Sequence, residues 1–273
     1  MLQLLKIEWL KVKNYRTFWI LAVLYLLSIW GANYIGYSIQ EKIYASKEAG
    51  NMADMILGGR PYAFPKVWQM TTSATSYILF ISGLLMIILV TNEFSFKTHR
   101  QNIIDGVTRT EFIVTKMTCG VIIALVSTLV VFLTALFFGL IQNPSDISFQ
   151  DSQYIVYFFI QAVSYTWLAV FFGLIFKRSG IAIGVFFLYT LIIENVLALI
   201  FNRALPQSYF LNGIGNYFPI QSTDELLPVP VFEQVKKQLD EPDINITMQL
   251  SFAFAYLIIF FFISKRKFET DDL

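Results

Sequence analysis

The stretch NEFSFKTHRQNIIDGVTRTEFIVTK, residues 92–116, decides how this chain is organised. It is polar and charged, contains the only histidine of the chain, and lies between apolar segments at 68–91 and 117–141. Each flanking segment exceeds the roughly 20 apolar residues that a helix needs to span a bilayer. The stretch therefore predicts a structured polar connection between two membrane helices, which we call the elbow.

The composition is typical of a membrane protein. The 273 residues are 56% hydrophobic and 14% charged, whereas soluble domains carry about 25% charged residues. The formal net charge of +1 gives no reason to expect a nucleic-acid partner. A single cysteine excludes a disulfide within the chain. Much of the surface is therefore expected to face lipid.

The hydropathy pattern predicts an all-α integral membrane protein, with one transmembrane domain over residues 1–273. The six predicted spans are 17–37, 68–91, 117–141, 153–176, 181–201 and 247–264. Residues 1–16 are basic and predict a helix that lies in the membrane interface, with a plain basic flank as the alternative. The apolar residues on one arc of that helix are Leu2, Leu5, Trp9 and Val12.

The distribution of basic residues predicts the orientation. Thirteen of the 20 Lys and Arg residues lie in the N-terminal segment, the elbow, the 177–180 link and the C-terminus. The other seven are spread over the longer loops on the opposite side. Because cytoplasmic loops carry the excess of Lys and Arg, both termini and the elbow are expected in the cytoplasm. The expected location is the inner (plasma) membrane, crossed several times.

Within the elbow, the residue order predicts two helices that meet at a fixed corner. A helix over residues 93–104 would end at Asp105 and Gly106, because glycine suits the left-handed conformation that ends helices. Thr108 and Glu111 have the spacing of a capping box and would begin the next helix. A corner built in this way would be rigid.

The connection at 202–246 is aromatic and apolar but is interrupted by prolines and glycines. It is too broken to span a membrane. It predicts short re-entrant helices or a cap on the outer face between the fifth and sixth spans, because irregular backbone at membrane depth needs protein or a cavity around it. Apolar residues at four-residue spacing predict a small amphipathic helix at 231–239.

Polar side chains within the predicted spans mark a candidate substrate path. Glu194 and Asn195 lie in the fifth span, and Ser73 and Ser76 lie on the polar face that opens the second span. Ionisable residues at membrane depth are costly and usually face a bundle interior or a watery cavity. Glu194 is expected either to line a cavity or to clamp neighbouring helices. The serines are expected either to line a path or to bond between helices.

The sequence lacks the motifs that mark several classes of enzyme and nucleotide-binding protein. No G-x-x-x-x-G-K-[ST] is present, so the chain has no P-loop for a nucleotide. No HExxH or GxSxG occurs either. His99 has no second histidine and no cysteine nearby, so it is expected at the surface rather than at a metal. We expect no catalytic residue, no metal and no cofactor bound by this chain.

The elbow resembles the connection between the second and third spans of ABC-2 type transporter permeases. It looks most like the branch that includes lantibiotic-immunity and bacitracin-resistance permeases, and the layout of the whole chain is similar as well. Two positions depart from the pattern, since Lys97 stands where a glycine is usual and Gly106-Val107 replace a frequent proline. The residues that carry the resemblance are Asn92, Glu93, Lys97, Thr98, Arg100, Gln101, Asn102, Asp105, Gly106, Arg109, Glu111, Phe112 and Lys116.

The resemblance implies a permease subunit of an ATP-driven exporter for a peptide, a lipid or another amphipathic molecule. Separate ABC ATPase subunits would bind ATP and Mg²⁺, and a second permease protomer, identical or related, would complete the path. Gly180 and Gly184 form a GxxxG pattern that permits close approach of another helix. The implied ATPase-coupling residues are Glu93, Lys97, Arg100, Asp105, Gly106, Arg109, Glu111 and Lys116.

One alternative class of function is a self-sufficient secondary transporter or channel. In that class Glu194 would carry a proton or an ion across the membrane. An intramembrane enzyme is a weaker alternative, because the sequence offers only Tyr189 and Thr190 close to Glu194 as partners. Loss of flux through the isolated chain on removing the Glu194 charge separates the transporter from the ATPase-driven permease.

Overall fold

The structure is a computed structural model that describes residues 2–145, 147–204, 213–230 and 245–270. All regular secondary structure in these residues is helical, as the sequence predicts. A π-helical turn at Tyr189–Ile193 joins two helices, and a 3₁₀ turn lies at Ile214–Tyr217. The α-helices are α1 (Leu2–Lys13), α2 (Arg16–Ala45), α3 (Lys47–Leu57), α4 (Val67–Ser76), α5 (Phe80–Ser95), α6 (Thr98–Ile104), α7 (Arg109–Gln142), α8 (Gln153–Phe176), α9 (Ser179–Leu188), α10 (Glu194–Ala204), α11 (Gln221–Asp224) and α12 (Ile246–Thr270).

Five helical stretches in the described part of the chain are long and apolar enough to cross a membrane. They are α2, α7, α8, the stretch from α9 through α10, and α12. Together α4 and α5 make a further candidate crossing, bent by 49° at a short break. By length and composition, the chain is a multi-pass membrane protein with five or six crossings.

The bend between α4 and α5 departs from the unbroken span predicted at 68–91. At the break the backbone bonds tighten to the 3₁₀ type, with the Ile78 amide donating to the Thr75 carbonyl at 2.9 Å and the Leu79 amide to Ser76 at 3.1 Å. Hydroxyl side chains before the break also bond back to their own helix. The Thr72 hydroxyl donates to the Trp68 carbonyl at 2.8 Å, Thr75 to Thr71 at 2.8 Å, and Ser76 to Ser73 at 3.1 Å. Hydroxyls that compete in this way for helix carbonyls bend helices.

The core is organised around α8, which is the most enclosed candidate span. In its most apolar window 78% of the residues are buried, against 17% in α2 and in α12. Side chains of α5 and α9 such as Met86 and Phe186 pack into the same core and are fully buried. The outer helices leave large apolar side chains exposed, which is the pattern expected where lipid is the solvent.

A glycine allows α5 and α9 to approach closely in this core. A Cβ atom at Gly83 would lie 2.3 Å from Cζ of the buried Phe186, whereas one at Gly31 meets nothing within 4 Å. Gly83→Ala is therefore expected to destabilise the fold by about 1–3 kcal/mol through overpacking. Gly31→Ala is the matched control and should not destabilise it. Thermal unfolding of the two purified variants measures the difference, and equal midpoints would contradict this packing.

The two ends of the bundle differ, and we name them by their contents. The elbow end carries α1, the elbow and the last turns of α12. There Phe112 stacks on Phe268 with ring centroids 4.5 Å apart. The loop end carries α3 and residues 213–230. The amphipathic helix predicted at 231–239 lies outside the described residues.

Candidate functional site

The elbow is not one continuous helix followed by a turn. The helix predicted over residues 93–104 is broken after α5, because Lys97 adopts a left-handed conformation with φ of 56°. The Glu93 side chain stabilises this break by accepting a hydrogen bond from the Thr98 hydroxyl. The backbone carbonyl of Glu93 accepts a second bond from Nδ1 of His99 at 2.8 Å. A short helix, α6, follows the break.

The expectation that His99 is a surface side chain was wrong. It is 8% exposed and packs on the Phe94 ring at 4.7 Å between centroids. Because the chain turns sharply at Lys97, the next turn of helix brings His99 back against the end of α5. His99 therefore anchors α6 to the bundle.

The second half of the elbow is as predicted. Gly106 has a φ of 96°, so it supplies the left-handed residue that ends α6. The Thr108 amide donates to the Glu111 carboxylate at 2.9 Å, and the Glu111 amide donates to the Thr108 hydroxyl at 3.2 Å. This reciprocal pair is the predicted capping box, and it begins α7.

Beneath the elbow lies a charged cluster made of Glu8, Lys11, Glu93 and Lys116. Lys116 is 0% exposed, and its ammonium lies 2.5 Å from the Glu8 carboxylate and 2.8 Å from that of Glu93. Lys11, at the rim, lies 2.7 Å from Glu93 and 3.1 Å from Glu8. Two cations thus neutralise two anions, as buried charges require.

The charged cluster joins α1, α5 and α7, so the interfacial helix and the elbow form one unit. Sequence reasoning identified Glu93 and Lys116 but missed Glu8 and Lys11. The sequence does carry a signal, because Glu8 is the only acid in the basic segment 1–16. An acid in a segment that otherwise favours basic residues indicates a specific partner.

The remaining predicted coupling residues lie at the surface of the elbow end or tie it together. Lys97, Arg100, Asp105 and Gly106 are exposed. Glu111 is exposed and serves the helix cap. Arg109 donates from Nη1 to the backbone carbonyls of Phe268, at 3.2 Å, and Glu269, which fastens the elbow to α12. Of the eight predicted coupling residues, Glu93 and Lys116 are therefore buried, Arg109 and Glu111 make hydrogen bonds within the elbow end, and the other four are exposed.

Two apolar side chains share the exposed surface of the elbow. Phe96 is 70% exposed and Ile104 is 78% exposed. Beside them is a hollow of about 390 Å³, which we call the elbow pocket. The elbow and the α8–α9 link contribute four basic residues to it, so its potential suits an acidic partner. Its lining residues are Phe94, Ser95, Lys97, His99, Arg100, Lys177 and Arg178.

At the other end is a loop-end cavity of about 370 Å³, placed between α4, α5, α8, the π-helical turn and residues 221–229. Of the four predicted path residues, Ser76 and Asn195 line it, whereas Ser73 and Glu194 do not. The full lining is Ser76, Tyr77, Phe80, Tyr165, Thr190, Leu191, Asn195, Gln221, Asp224, Glu225, Leu227, Pro228 and Val229.

Glu194 and Ser73 hold the loop-end segment in place. Glu194 is 1% exposed, and its Oε1 accepts hydrogen bonds from the backbone amides of Ile220 at 2.5 Å and Gln221 at 2.9 Å. The Ser73 hydroxyl lies 3.0 Å from the Pro228 carbonyl. The geometry favours the clamp interpretation of Glu194, with loop amides as the partners instead of a neighbouring helix.

Asp224 is the cavity residue that sequence reasoning missed. Its Oδ1 accepts from Nε2 of Gln161 at 2.7 Å and from the Tyr165 hydroxyl at 3.4 Å. Burial, opposed by the Gln161 bond and assisted by the Glu194 and Glu225 charges, raises the pKa of Asp224 to about 7. No local pattern marked this aspartate, because its partners are more than fifty residues away in the chain.

The described residues give no support for a metal site. Within the described ranges, no group of three or more His, Cys, Asp or Glu side chains is placed to hold an ion. The charged cluster contains only two acids, and two lysines already neutralise them. Its chemistry is therefore that of a structural ion-pair network.

Comparison with known proteins places the chain in a family without giving it an activity. No curated protein matches the sequence. Residues 18–273 match the family described as "Protein of unknown function (DUF2705)". The match leaves out α1 but includes every candidate membrane span except the first residues of α2. Because it covers most of the chain, this protein belongs to the DUF2705 family.

Proposed function

We propose that this chain is the transmembrane permease subunit of an ATP-driven ABC-2 type exporter. The observation that carries the proposal is the construction of the elbow end. A short helix is locked to the bundle from beneath by buried charges, and it presents uncovered apolar and basic side chains outward. Such a surface suits a soluble partner that must push on the membrane helices. The ATPase is a separate polypeptide in this proposal, consistent with the missing P-loop.

Buried residues fix the elbow to the bundle while exposed residues can contact a partner, and this arrangement supports transmission of a partner's motion to the membrane helices. Glu93, His99 and Lys116 are buried and fix the elbow to α1, α5 and α7. Phe96 and Arg100 are exposed and available to a partner. Rigid packed elements transmit displacement, whereas loosely held loops absorb it. A partner that moves α6 would therefore move the spans on either side of it.

The orientation and the number of spans belong to the same proposal. The excess of basic residues at the elbow end supports an orientation with that end in the cytoplasm, on the inner side of the plasma membrane. The α4–α5 pair then completes six crossings, and both chain termini are cytoplasmic. At the outer side the proposal includes a re-entrant segment within residues 213–230, which the hydrogen bond from Gln161 of α8 to Asp224 supports.

A second permease protomer, identical or related, fits the exposed face of α9. Gly180 and Gly184 lie on the surface, and a Cβ at either position meets nothing within 4 Å. Small residues at this spacing permit close helix contact in lipid. The substrate would be a peptide, a lipid or another amphipathic molecule. The path would run from the protomer interface past Ser76 and Asn195 at the loop-end cavity.

The test is retention of the ATPase by the purified full chain. We expect a Walker-type ATPase to co-purify from source membranes and to hydrolyse ATP. Arg100→Glu should reduce the retained ATPase at least tenfold, about 1.4 kcal/mol, because a like charge would face the partner's acids. Arg266→Glu is the matched control, since it makes the same change at an exposed position on α12 at the same end.

Two outcomes would contradict the proposal. One is a chain that reaches the membrane and purifies intact without any ATPase. The other is equal ATPase retention by the Arg100 and Arg266 variants. A normal elution profile and melting temperature for both variants would establish that a loss of the ATPase is not a loss of fold.

A further inference from the structure

The loop-end cavity is lined by aromatic rings, neutral polar groups and carboxylates. Its volume of about 370 Å³ falls within the range of small-molecule sites. Rings of Tyr77, Phe80 and Tyr165 contribute to its walls, and aliphatic side chains complete the apolar part. The polar groups are neutral amides and hydroxyls, together with the carboxylates of Asp224 and Glu225. None of its described lining residues is Lys, Arg or His.

The Asp224 carboxylate is held in a fixed position through one of its two oxygens. Both of its hydrogen bonds from described residues end on Oδ1, from Gln161 and Tyr165. Gln161 is fully buried, so the donor that orients the carboxylate is itself fixed by the core. No described residue donates to Oδ2. An oriented carboxylate whose second oxygen has no donor among the described residues, and which lies beside aromatic rings, is suited to a cation.

We propose that the loop-end cavity binds a small organic cation, such as the ammonium-bearing part of an amphipathic molecule, between Asp224 and the aromatic rings. The carboxylate neutralises the charge, and the faces of tyrosine and phenylalanine attract a cation within about 6 Å of the ring centre. The apolar wall of Leu191 and Leu227 receives the rest of the molecule. An anion is disfavoured by the Asp224 carboxylate.

A metal ion is the competing cation, and the geometry does not favour it. Calcium takes six to eight oxygen ligands, whereas the described residues contain no group of three or more acids, histidines or cysteines suited to an ion. An organic ammonium, by contrast, needs only one counter-charge and apolar or aromatic surroundings. The volume also exceeds what a bare ion occupies.

Proton linkage gives the proposal a distinctive signature. Burial and nearby acids raise the pKa of Asp224 to about 7, so near neutral pH the empty site is a mixture of protonated and ionised forms. A cation binds the ionised form and displaces the proton. Affinity should therefore rise as the pH increases through 7 and fall up to tenfold per pH unit below it. The other ionisable groups facing Asp224 are Glu194, Glu225, Tyr165 and Tyr77.

This inference deepens the proposed function by naming a substrate class, but its test does not depend on an ATPase. The full chain is placed in nanodiscs of zwitterionic lipid, and calorimetry measures binding of benzyltrimethylammonium at pH 8 and pH 6. Neopentylbenzene, the neutral carbon isostere, reports the apolar contribution alone. Calcium chloride tests the metal alternative. Repeating the titration near pH 7 in buffers of different ionisation enthalpy counts the protons released.

We expect the ammonium to bind at least tenfold more tightly than its neutral isostere at pH 8, to weaken about tenfold at pH 6, and to release a proton near pH 7. Asp224→Asn should lose at least tenfold in affinity and all proton release. Asp54→Asn, an exposed control on α3 that also belongs to the loop end, should behave as wild type. A melting temperature for Asp224→Asn equal to or above that of the wild type establishes that the variant is folded.

Equal binding of ammonium and isostere, unchanged binding in Asp224→Asn, or binding of calcium in place of the ammonium would overturn this inference. Because no ATPase is present in the assay, its failure leaves the permease proposal standing. Conversely, a chain that binds the cation but retains no ATPase contradicts the permease proposal alone.

Discussion

Replacing Lys116 by methionine is expected to remove about 3–5 kcal/mol from the stability of the folded chain. Methionine is close to lysine in volume, so the change removes the charge without leaving a large cavity. The carboxylates of Glu8 and Glu93 would then share Lys11 as their only partner in the charged cluster. Breaking a buried pair costs this much because a desolvated charge loses its neutraliser.

Lys11→Met is the matched control, because it changes the same residue type in the same cluster. The Lys11 side chain is 30% exposed, and its loss leaves the buried Lys116 pair intact. Partly exposed ion pairs contribute only up to about 1 kcal/mol. The melting temperatures of both variants in one detergent measure the contrast. If Lys116→Met melts no lower than Lys11→Met, the cluster does not anchor the elbow.

A compensated variant sharpens the same experiment. Removing the three buried charges, by Glu8→Gln, Glu93→Gln and Lys116→Met together, leaves Lys11 as the only ion of the cluster, and its side chain is 30% exposed and can reach water. Replacement of a whole buried pair by neutral groups is often neutral in stability. We expect this triple variant to recover much of what the single lysine variant loses. A triple variant as unstable as the single one would indicate that packing, rather than charge, dominates the cluster.

Glu194→Leu is expected to lower the free energy of unfolding by about 2–6 kcal/mol. Two backbone amides lose their acceptor, and each unsatisfied amide contributes about 1–3 kcal/mol. Those amides belong to Ile220 and Gln221, so the change also releases the segment that forms one wall of the loop-end cavity. Glu194→Gln keeps an oxygen in the same place and should melt within about 1 kcal/mol of the wild type. Thermal unfolding of the two variants measures this difference.

The same pair of variants separates a clamp from an ion relay. A clamp needs the oxygen, so Glu194→Gln retains its function. A relay needs the titratable group, so Glu194→Gln abolishes it. Proton or ion flux through the isolated chain in liposomes, lost in the stable glutamine variant, would favour a self-sufficient transporter over the permease proposal.

The sequence predicted the features that depend on local patterns. Hydropathy located the five long apolar helices and the bent α4–α5 pair, since a helix that faces lipid must be apolar along its length. The Thr108–Glu111 box and the Gly106 stop were found because their partners lie three to five residues apart. The predicted cap at Thr108 begins α7 at Arg109, and this helix runs without a break into the span predicted from residue 117.

The features that escaped prediction depend on contacts between distant parts of the chain. Glu8 and Lys116 are 108 residues apart, and Asp224 and Gln161 are 63 apart. No window of sequence contains either pair. The burial of His99 follows from one left-handed lysine, a conformation that side chains other than glycine and asparagine rarely signal. The bend after α4 lies at a short break with 3₁₀-type bonds, and no proline or glycine in residues 67–80 signals it.

The charged cluster also sets an order of events during synthesis. Glu8 is made 108 residues before Lys116, which at about 5–20 residues per second corresponds to about 5–20 s on the ribosome. Throughout that delay the nascent first helix has an acid without its main partner, so it must stay in contact with water. The buried position in which Lys116 neutralises the Glu8 carboxylate exists only when both α5 and α7 have been made. The final ion-paired position of the first helix therefore requires that the elbow has been synthesised.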